Sequence, residues 1–344
     1  MGTLGDALAL RDGAIEQVYR VKRRARRDRV RRARERRAGP LVSARVLVRM
    51  DAGIGNAVEA TPLVQAVRAL WPRVHLTVLP PPGDLFDGWC VVDRVVTDPA
   101  ALKGERFDAT FLPWSTAAEG PYDPGEVHRA QGLFPHWQLR PEREVNLDAA
   151  RRLGFDGATP PLYVSVKRPA DPLPPAPLIA LAPGGKPEHR WRNKRWMHWR
   201  ALASLLLERH PDARLLVVGG PGDAIDLPRS PRIVDLRGRH TLAETAWTLQ
   251  RCALVVANDC GPAHVADAVL APLVVLFGPT CEIKNGPRNR GVALSSDADC
   301  SPCQYDLALL DTCDNPVCMQ RLSPERVADE ADRVLRGNPD EPPA

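Results

Sequence analysis

An α/β protein of two domains, each a parallel sheet covered by helices, is the architecture this sequence predicts, and three observations predict it. The 344 residues suit two domains of about 150 residues with extensions better than one small core. From Arg45 onward, short β-branched and leucine runs alternate with amphipathic stretches, the pattern of βα units that build a parallel sheet. Midway, residues 168–177 (RPADPLPPAP) hold five prolines in ten positions, which neither a helix interior nor an inner strand accommodates. A linker over 169–177 therefore separates a first domain, 41–168, from a second, 178–322, with a last helix and tail over 323–344.

The first domain opens with a strand at VLVRM (46–50), a glycine loop, and a helix from about Thr61. Pro62 then falls near the helix start, where a missing N–H costs nothing, and Leu63, Val64, Val67, Leu70 and Trp71 repeat at helical spacing. Further strands are expected at VHLTVL (74–79), VVDRVV (91–96) and DATFL (108–112). In the second domain the series is LIALAPG (178–184), a helix over about 197–210, and the strands RLLVVGG (214–220) and RIVDL (232–236). Thr241 and Glu244 have the spacing of a capping box and start the next helix. The strand ALVVAND (253–259), a short helix after Gly261 and the strand PLVVLFG (272–278) follow, and Ser323-Pro324-Glu325 starts a helix that runs to about Leu335. Two such domains joined by a proline hinge place a ligand cleft between them, at the carboxyl ends of the strands.

Charge is uneven along the chain. Residues 20–37 carry twelve Lys or Arg against two acids, a net +10, so with an overall +5 the remainder sums to −5. The body lacks the broadly basic face of a nucleic-acid binder, and no nucleic-acid partner is expected. Residues 1–40 read as a basic helical arm with too few apolar positions for a core of its own. It is either a solvated arm or a patch that docks on anionic lipid headgroups, where each basic residue gains up to about 1 kcal/mol. No apolar run approaches the roughly 18 residues of a membrane span, and no apolar signal core is present. The expectation is a cytoplasmic protein, with peripheral contact at the inner face of the cytoplasmic membrane if residues 20–37 dock there.

Three βα turns carry the chemistry. DAGIGN (51–56) follows a strand and precedes a helix, so its glycines let the backbone approach a ligand near a positively polarised helix N-terminus. Such turns occur in many unrelated α/β proteins. Gly184, Gly185 and Lys186 in APGGK, with NKRW (193–196) beyond, combine a glycine turn with cations suited to phosphate, although solvated loop cations fit the same residues. In ANDCGPAH (257–264), Gly261 and the helix behind it present N–H groups to a diphosphate while Asp259 accepts a hydroxyl or orients the loop; His264 reads equally as a packing histidine.

In this order, DAGIGNAVEATPLVQAVRALWP, APGG with NKRW, VVANDCGPAHVADA and VVLFGPT closely resemble glycosyltransferase family 9, the lipopolysaccharide heptosyltransferases. The likeness covers about residues 45–335, and NDCGPAH followed by FGPT is its most specific part. It implies a GT-B fold of two facing Rossmann-like domains, the first receiving the acceptor and the second the donor, commonly ADP-L-glycero-β-D-manno-heptose. By position it implies Lys194 on the donor phosphates, the turn Asp259-Cys260-Gly261-Pro262 around the diphosphate, and Asp223 near the ribose.

The implied reaction is one inverting displacement of ADP by an acceptor hydroxyl of a lipopolysaccharide-type glycan or glycolipid. Lys194 and helix N-termini neutralise the departing phosphate, and no cofactor is required for catalysis. A general base must also reach the hydroxyl. Well-known members place an acid where this chain has Asn56, and an amide takes no proton at neutral pH. The base is then expected at Asp51 or Glu59, with Asp51 favoured because it ends the strand, or else Asn56 only positions the acceptor. Alternative readings are a transferase for another nucleotide sugar or for protein acceptors, and a silent nucleotide-sugar binder.

Finally, Cys300, Cys303, Cys313 and Cys318 form C-x2-C-x9-C-x4-C in a proline-containing loop, two pairs of soft ligands as zinc or iron requires. Disulfides or free thiols are the alternative. The resemblance treats the cluster as a unit, since many relatives carry one before the final helix and some protein-modifying members hold iron. The cysteines at 90, 252, 260 and 281 lie apart and read as small buried residues.

Overall fold

The structure is a computed structural model and describes residues 44–114, 116, 119–130, 140–186 and 188–337. The basic arm, with the membrane contact expected of residues 20–37, lies outside the described residues.

The first lobe is a five-stranded sheet. Its strands are β1 (Arg45–Arg49), β2 (His75–Leu79), β3 (Arg94–Val95), β4 (Ala109–Leu112) and β5 (Glu126–Arg129), in the order β3-β2-β1-β4-β5 with every pairing parallel. Helix α1 (Ile54–Leu70) follows β1, and α2 (Glu142–Arg151) closes the lobe. Of the expected strand at 91–96 only two residues pair. The loop before α1 is shorter than expected, so Pro62 sits in the helix interior rather than at its start. The Thr61 hydroxyl donates to the Val58 carbonyl at 2.7 Å, the acceptor that a residue-62 N–H would have used.

Residues 168–177 form no helix or strand. Beyond them lies a six-stranded parallel sheet, ordered β11-β10-β9-β6-β7-β8, with β6 (Leu178–Ala182), β7 (Arg214–Val217), β8 (Ile233–Asp235), β9 (Leu254–Asn258), β10 (Leu273–Phe277) and β11 (Gly291–Ser295). Its helices are α3 (Trp199–Arg209), α4 (Leu242–Gln250), α5 (Gly261–Ala268), α6 (Glu282–Asn285), α7 (Leu307–Thr312), α8 (Val317–Gln320) and α9 (Pro324–Leu335). The capping box at Thr241 and Glu244 forms in both directions, and the Ser323 hydroxyl accepts from Arg326 N–H.

In each sheet the order of strand addition reverses between the first and fourth strands, β1 and β4 in one lobe and β6 and β9 in the other, while all strands stay parallel. In such sheets ligands bind outside the carboxyl ends of the strands at that reversal. The buried apolar residues of α1 and of β9, α5 and β10 form one continuous cluster, so the lobes share a core where α1 meets α5. A second cluster packs α3 and α9 on the outer face of the C-terminal sheet.

Candidate functional site

The loops at the two reversals face each other, and close packing explains their small residues. A Cβ on Gly55 would stand 2.6 Å from the His264 ring, and one on Gly184 would stand 2.4 Å from the Asp223 carboxylate. The first α1 turn therefore lies directly against the start of α5, with Ile54 over Gly261.

An alternating chain of charges runs through this junction. The Lys194 ammonium is 2.9 Å from Asp259, whose carboxylate also accepts from Asn285 at 3.1 Å and lies 3.5 Å from His264 Nε2. On the other side His264 Nδ1 is 3.1 Å from Glu59, a first-lobe residue. Arg143, on α2, donates to both Glu59 oxygens at 3.1 Å and to Asp267 at 2.8 Å. Asp267 also accepts from the Arg288 and Asn289 amides. Three cations and three carboxylates thus alternate across the lobes.

Burial alone would disfavour the charges on His264, Asp259, Glu59 and Arg143, yet their partners outweigh it. Burial pulls the His264 imidazole down, but its hydrogen bonds and charge contacts with Asp259 and Glu59 raise it to about 10, so both ring nitrogens donate. Burial likewise pushes Asp259 and Glu59 up. Lys194 and His264 hold Asp259 far below the usual carboxylate range, while His264 and Arg143 hold Glu59 below it. His264 is therefore neither a bland packing residue nor a solvent-facing base; it is a cation bridging two acids from different lobes.

A second cluster lies beside the first. Glu142, the first residue of α2, accepts from the Asn56 amide at 2.7 Å and from Lys284 at 3.0 Å. Lys284 also lies 4.4 Å from the centre of the Trp114 ring. Asn146, one α2 turn later, donates to the Glu59 carbonyl and accepts from the Trp114 amide.

The structure gathers Asn56, Glu59, Gly184, Gly185, Lys186, Lys194, Asp223, Asp259, Cys260, Gly261, Pro262 and His264 on the facing loops and first helical turns of the two lobes. Lys186 reaches across to the Ala52 carbonyl at 3.0 Å, and Asp223 accepts from the Gly220 amide at 2.7 Å. Cys260 caps α5 without a side-chain capping bond, its thiol pointing to the Ala182 carbonyl at 4.0 Å, and burial pushes that thiol up to about 12. Asp51 is bound differently, by three contacts of 2.9 to 3.1 Å from Arg49, whose guanidinium also reaches the Glu119 carbonyl. Arg143, Glu142, Asn146 and Lys284 were missed. The acid-rich PERE start after Arg140 was the available signal for α2.

Cys300, Cys303, Cys313 and Cys318 are free thiols that lie near enough for each to influence Cys318, which burial and these neighbours push up to about 11. As packed, no three potential ligands meet in metal-holding geometry among the described residues. No described helix is long and apolar enough to cross a membrane.

The sequence profile described as "Glycosyltransferase family 9 (heptosyltransferase)" matches residues 135–312. Lipopolysaccharide heptosyltransferase 1 of Pseudomonas aeruginosa is 32% identical over 186 residues, covering 48% of this chain and 50% of that protein. Lipooligosaccharide heptosyltransferase 2 of Haemophilus influenzae is 32% identical over 118 residues, 30% of this chain and 32% of the relative. The chain thus spans half or less of the length of these curated relatives. Among solved structures, the Escherichia coli ADP-heptose lps heptosyltransferase II aligns with a TM-score of 0.62 at 17% identity, covering 85% of this chain and 99% of that one. The iron-containing dodecameric glycosyltransferase TibC of enterotoxigenic E. coli aligns at 0.60 and 14%, covering 87% and 80%. At such identities the structural likeness establishes the two-lobed fold.

Proposed function

We propose, from the premise that this chain belongs to glycosyltransferase family 9 (heptosyltransferase), that it moves a heptose or related sugar from an ADP-sugar to a hydroxyl of a lipopolysaccharide-type glycan. The second lobe holds the donor and the first, over 41–168, receives the acceptor. One observation supports this most: the Asp259-Cys260-Gly261-Pro262 turn, with Lys194 at 2.9 Å from Asp259, opens α5 directly against the glycine turn of the other lobe.

A diphosphate entering beside that turn meets the start of α5 and draws the Lys194 ammonium from Asp259, since phosphate offers more acceptor oxygens at higher charge. Asp259 keeps His264 and Asn285. Neutralised in this way, the diphosphate leaves as an acceptor oxygen attacks the anomeric carbon from the opposite face, which inverts it. Asp223, packed beside Gly184 and Gly219 after the second strand of this sheet, would take the ribose hydroxyls.

Four thiols suit zinc or iron chemically, and Cys300, Cys303, Cys313 and Cys318 would be the ligands. Such an ion would cross-link the loop between β11 and α9 structurally.

Calorimetric titration with ADP, UDP and GDP sugars side by side tests the donor. ADP-L-glycero-β-D-manno-heptose is expected to bind at least tenfold more tightly than the uridine and guanosine donors, and Lys194→Ala to weaken it at least tenfold. Preference for a uridine or guanosine sugar would defeat the donor assignment while leaving the family intact. Binding of the ADP-sugar without ADP release, with any acceptor extract, would favour a silent binder.

A further inference from the structure

We propose that Glu142 takes the proton of the acceptor hydroxyl, a role that its hydrogen-bond partner Asn56 has no means to fill; the assignment rests on the transferase reading above. The other carboxylates near the junction are committed to fixed partners. Asp51 accepts three bonds from Arg49. Glu59, 2% exposed, is gripped by Arg143 on both oxygens and by His264. Asp259 serves Lys194, His264 and Asn285, and Asp223 ties down the Gly220 amide.

Glu142 is arranged differently. Its Oε1 accepts from Asn56 in its own lobe, whereas Oε2 is covered by Lys284, on the short α6 of the opposite lobe. Because α1 and α2 pack together, Asn56 stays with Glu142 when the lobes part, while Lys284 leaves with its own lobe. The cleft then bares both groups that Lys284 covers, one Glu142 carboxylate oxygen and the face of the Trp114 indole, which suits a sugar ring. A hydroxyl seated there bonds to the anomeric carbon as the bond from that carbon to the phosphate oxygen breaks. The electron pair departs on ADP, the hydroxyl proton passes to Glu142, and solvent later removes it. Asn56 holds the other oxygen and fixes the carboxylate's orientation.

The test uses the full chain, ADP-L-glycero-β-D-manno-heptose, and two acceptors: water and a deacylated inner-core oligosaccharide. Glu142→Gln, nearly isosteric, is expected to lose at least about 100-fold in kcat, within the range a general base supplies. Its donor KM should stay within about threefold, and the acid limb of its kcat profile should vanish. Asn56→Asp added to Glu142→Gln returns a carboxylate one hydrogen bond away and is expected to recover at least about tenfold. Lys284→Met removes the cation facing Glu142, which keeps its bond from Asn56 and lies within electrostatic reach of the Tyr305 phenol. It should move the acid limb of the acceptor kcat/KM profile, which reports the free enzyme where Lys284 covers Glu142, to higher pH, a readout that stands even if Glu142→Gln folds poorly.

A Glu142→Gln kcat within threefold of wild type, or an acid limb that stays put in both Glu142→Gln and Lys284→Met, overturns the assignment. If wild-type protein releases no ADP from this donor with either acceptor, the transferase reading falls and Glu142 falls with it. An active wild type matched by an equally active Glu142→Gln removes Glu142 alone.

Discussion

At the scale of single residues, Arg143 carries the most charge responsibility, because it is the sole cation touching both Glu59 and Asp267 in the hydrogen bonds described. Replacing it with Met leaves two buried carboxylates short of a partner. Breaking a buried pair in that way costs about 3–5 kcal/mol. Chemical denaturation of Arg143→Met should show that loss, and a change below about 1 kcal/mol would mean that the carboxylates find other partners.

His264 sets the pH response. Its imidazole rises from 6.5 to about 10 on folding, so its contribution is complete below the unfolded value and is lost as pH climbs through the folded one. Asp259 and Glu59 are lowered, so theirs is present above the ordinary carboxylate range and fades as pH falls below it. Melting temperature should therefore be highest near pH 5–6.5 on account of this cluster and decline toward pH 10. His264→Gln should flatten the alkaline decline; an unchanged slope would place the titration elsewhere.

Among elements, legibility followed local chemistry. Strands β1, β6, β9 and β10 were visible because buried parallel strands are near-continuous apolar runs, and α4 and α9 because their caps are encoded within four residues. Helix α2 was not. Its EREVNLDAAR has few apolar positions, since the residues it buries include Glu142, Arg143 and Asn146, whose partners lie on distant elements, and Asp148, paired with Arg140 just before the helix. Edge strand β5 is EVHR, mostly exposed, with no apolar run to announce it. The glycine turns were readable from their spacing, whereas a salt bridge such as Lys284 with Glu142 joins residues far apart in sequence and leaves no local trace.

In the cysteine loop, C-x2-C-x9-C-x4-C is a local pattern whose meaning depends on folding. Elemental analysis of protein prepared anaerobically without chelators should give close to one equivalent of zinc or iron if the four thiols act together. Less than about a tenth of an equivalent would exclude a stable site.

For the molecule as a whole, two parallel sheets with the strand order of nucleotide-binding folds oppose their reversal points, which is where a nucleotide sugar and its acceptor can meet. The proline segment that joins them has no regular structure, yet the lobes are not strung together by that tether alone. The apolar cluster passing from α1 into α5 links them with water-excluding contact. Heating should accordingly melt both halves in a single endotherm whose van't Hoff and calorimetric enthalpies agree. Two resolved peaks would mean independent melting. Because that seam passes beside Gly261, any opening that keeps it intact would pry the halves apart rather than swing them, widening the mouth most on the rim farthest away.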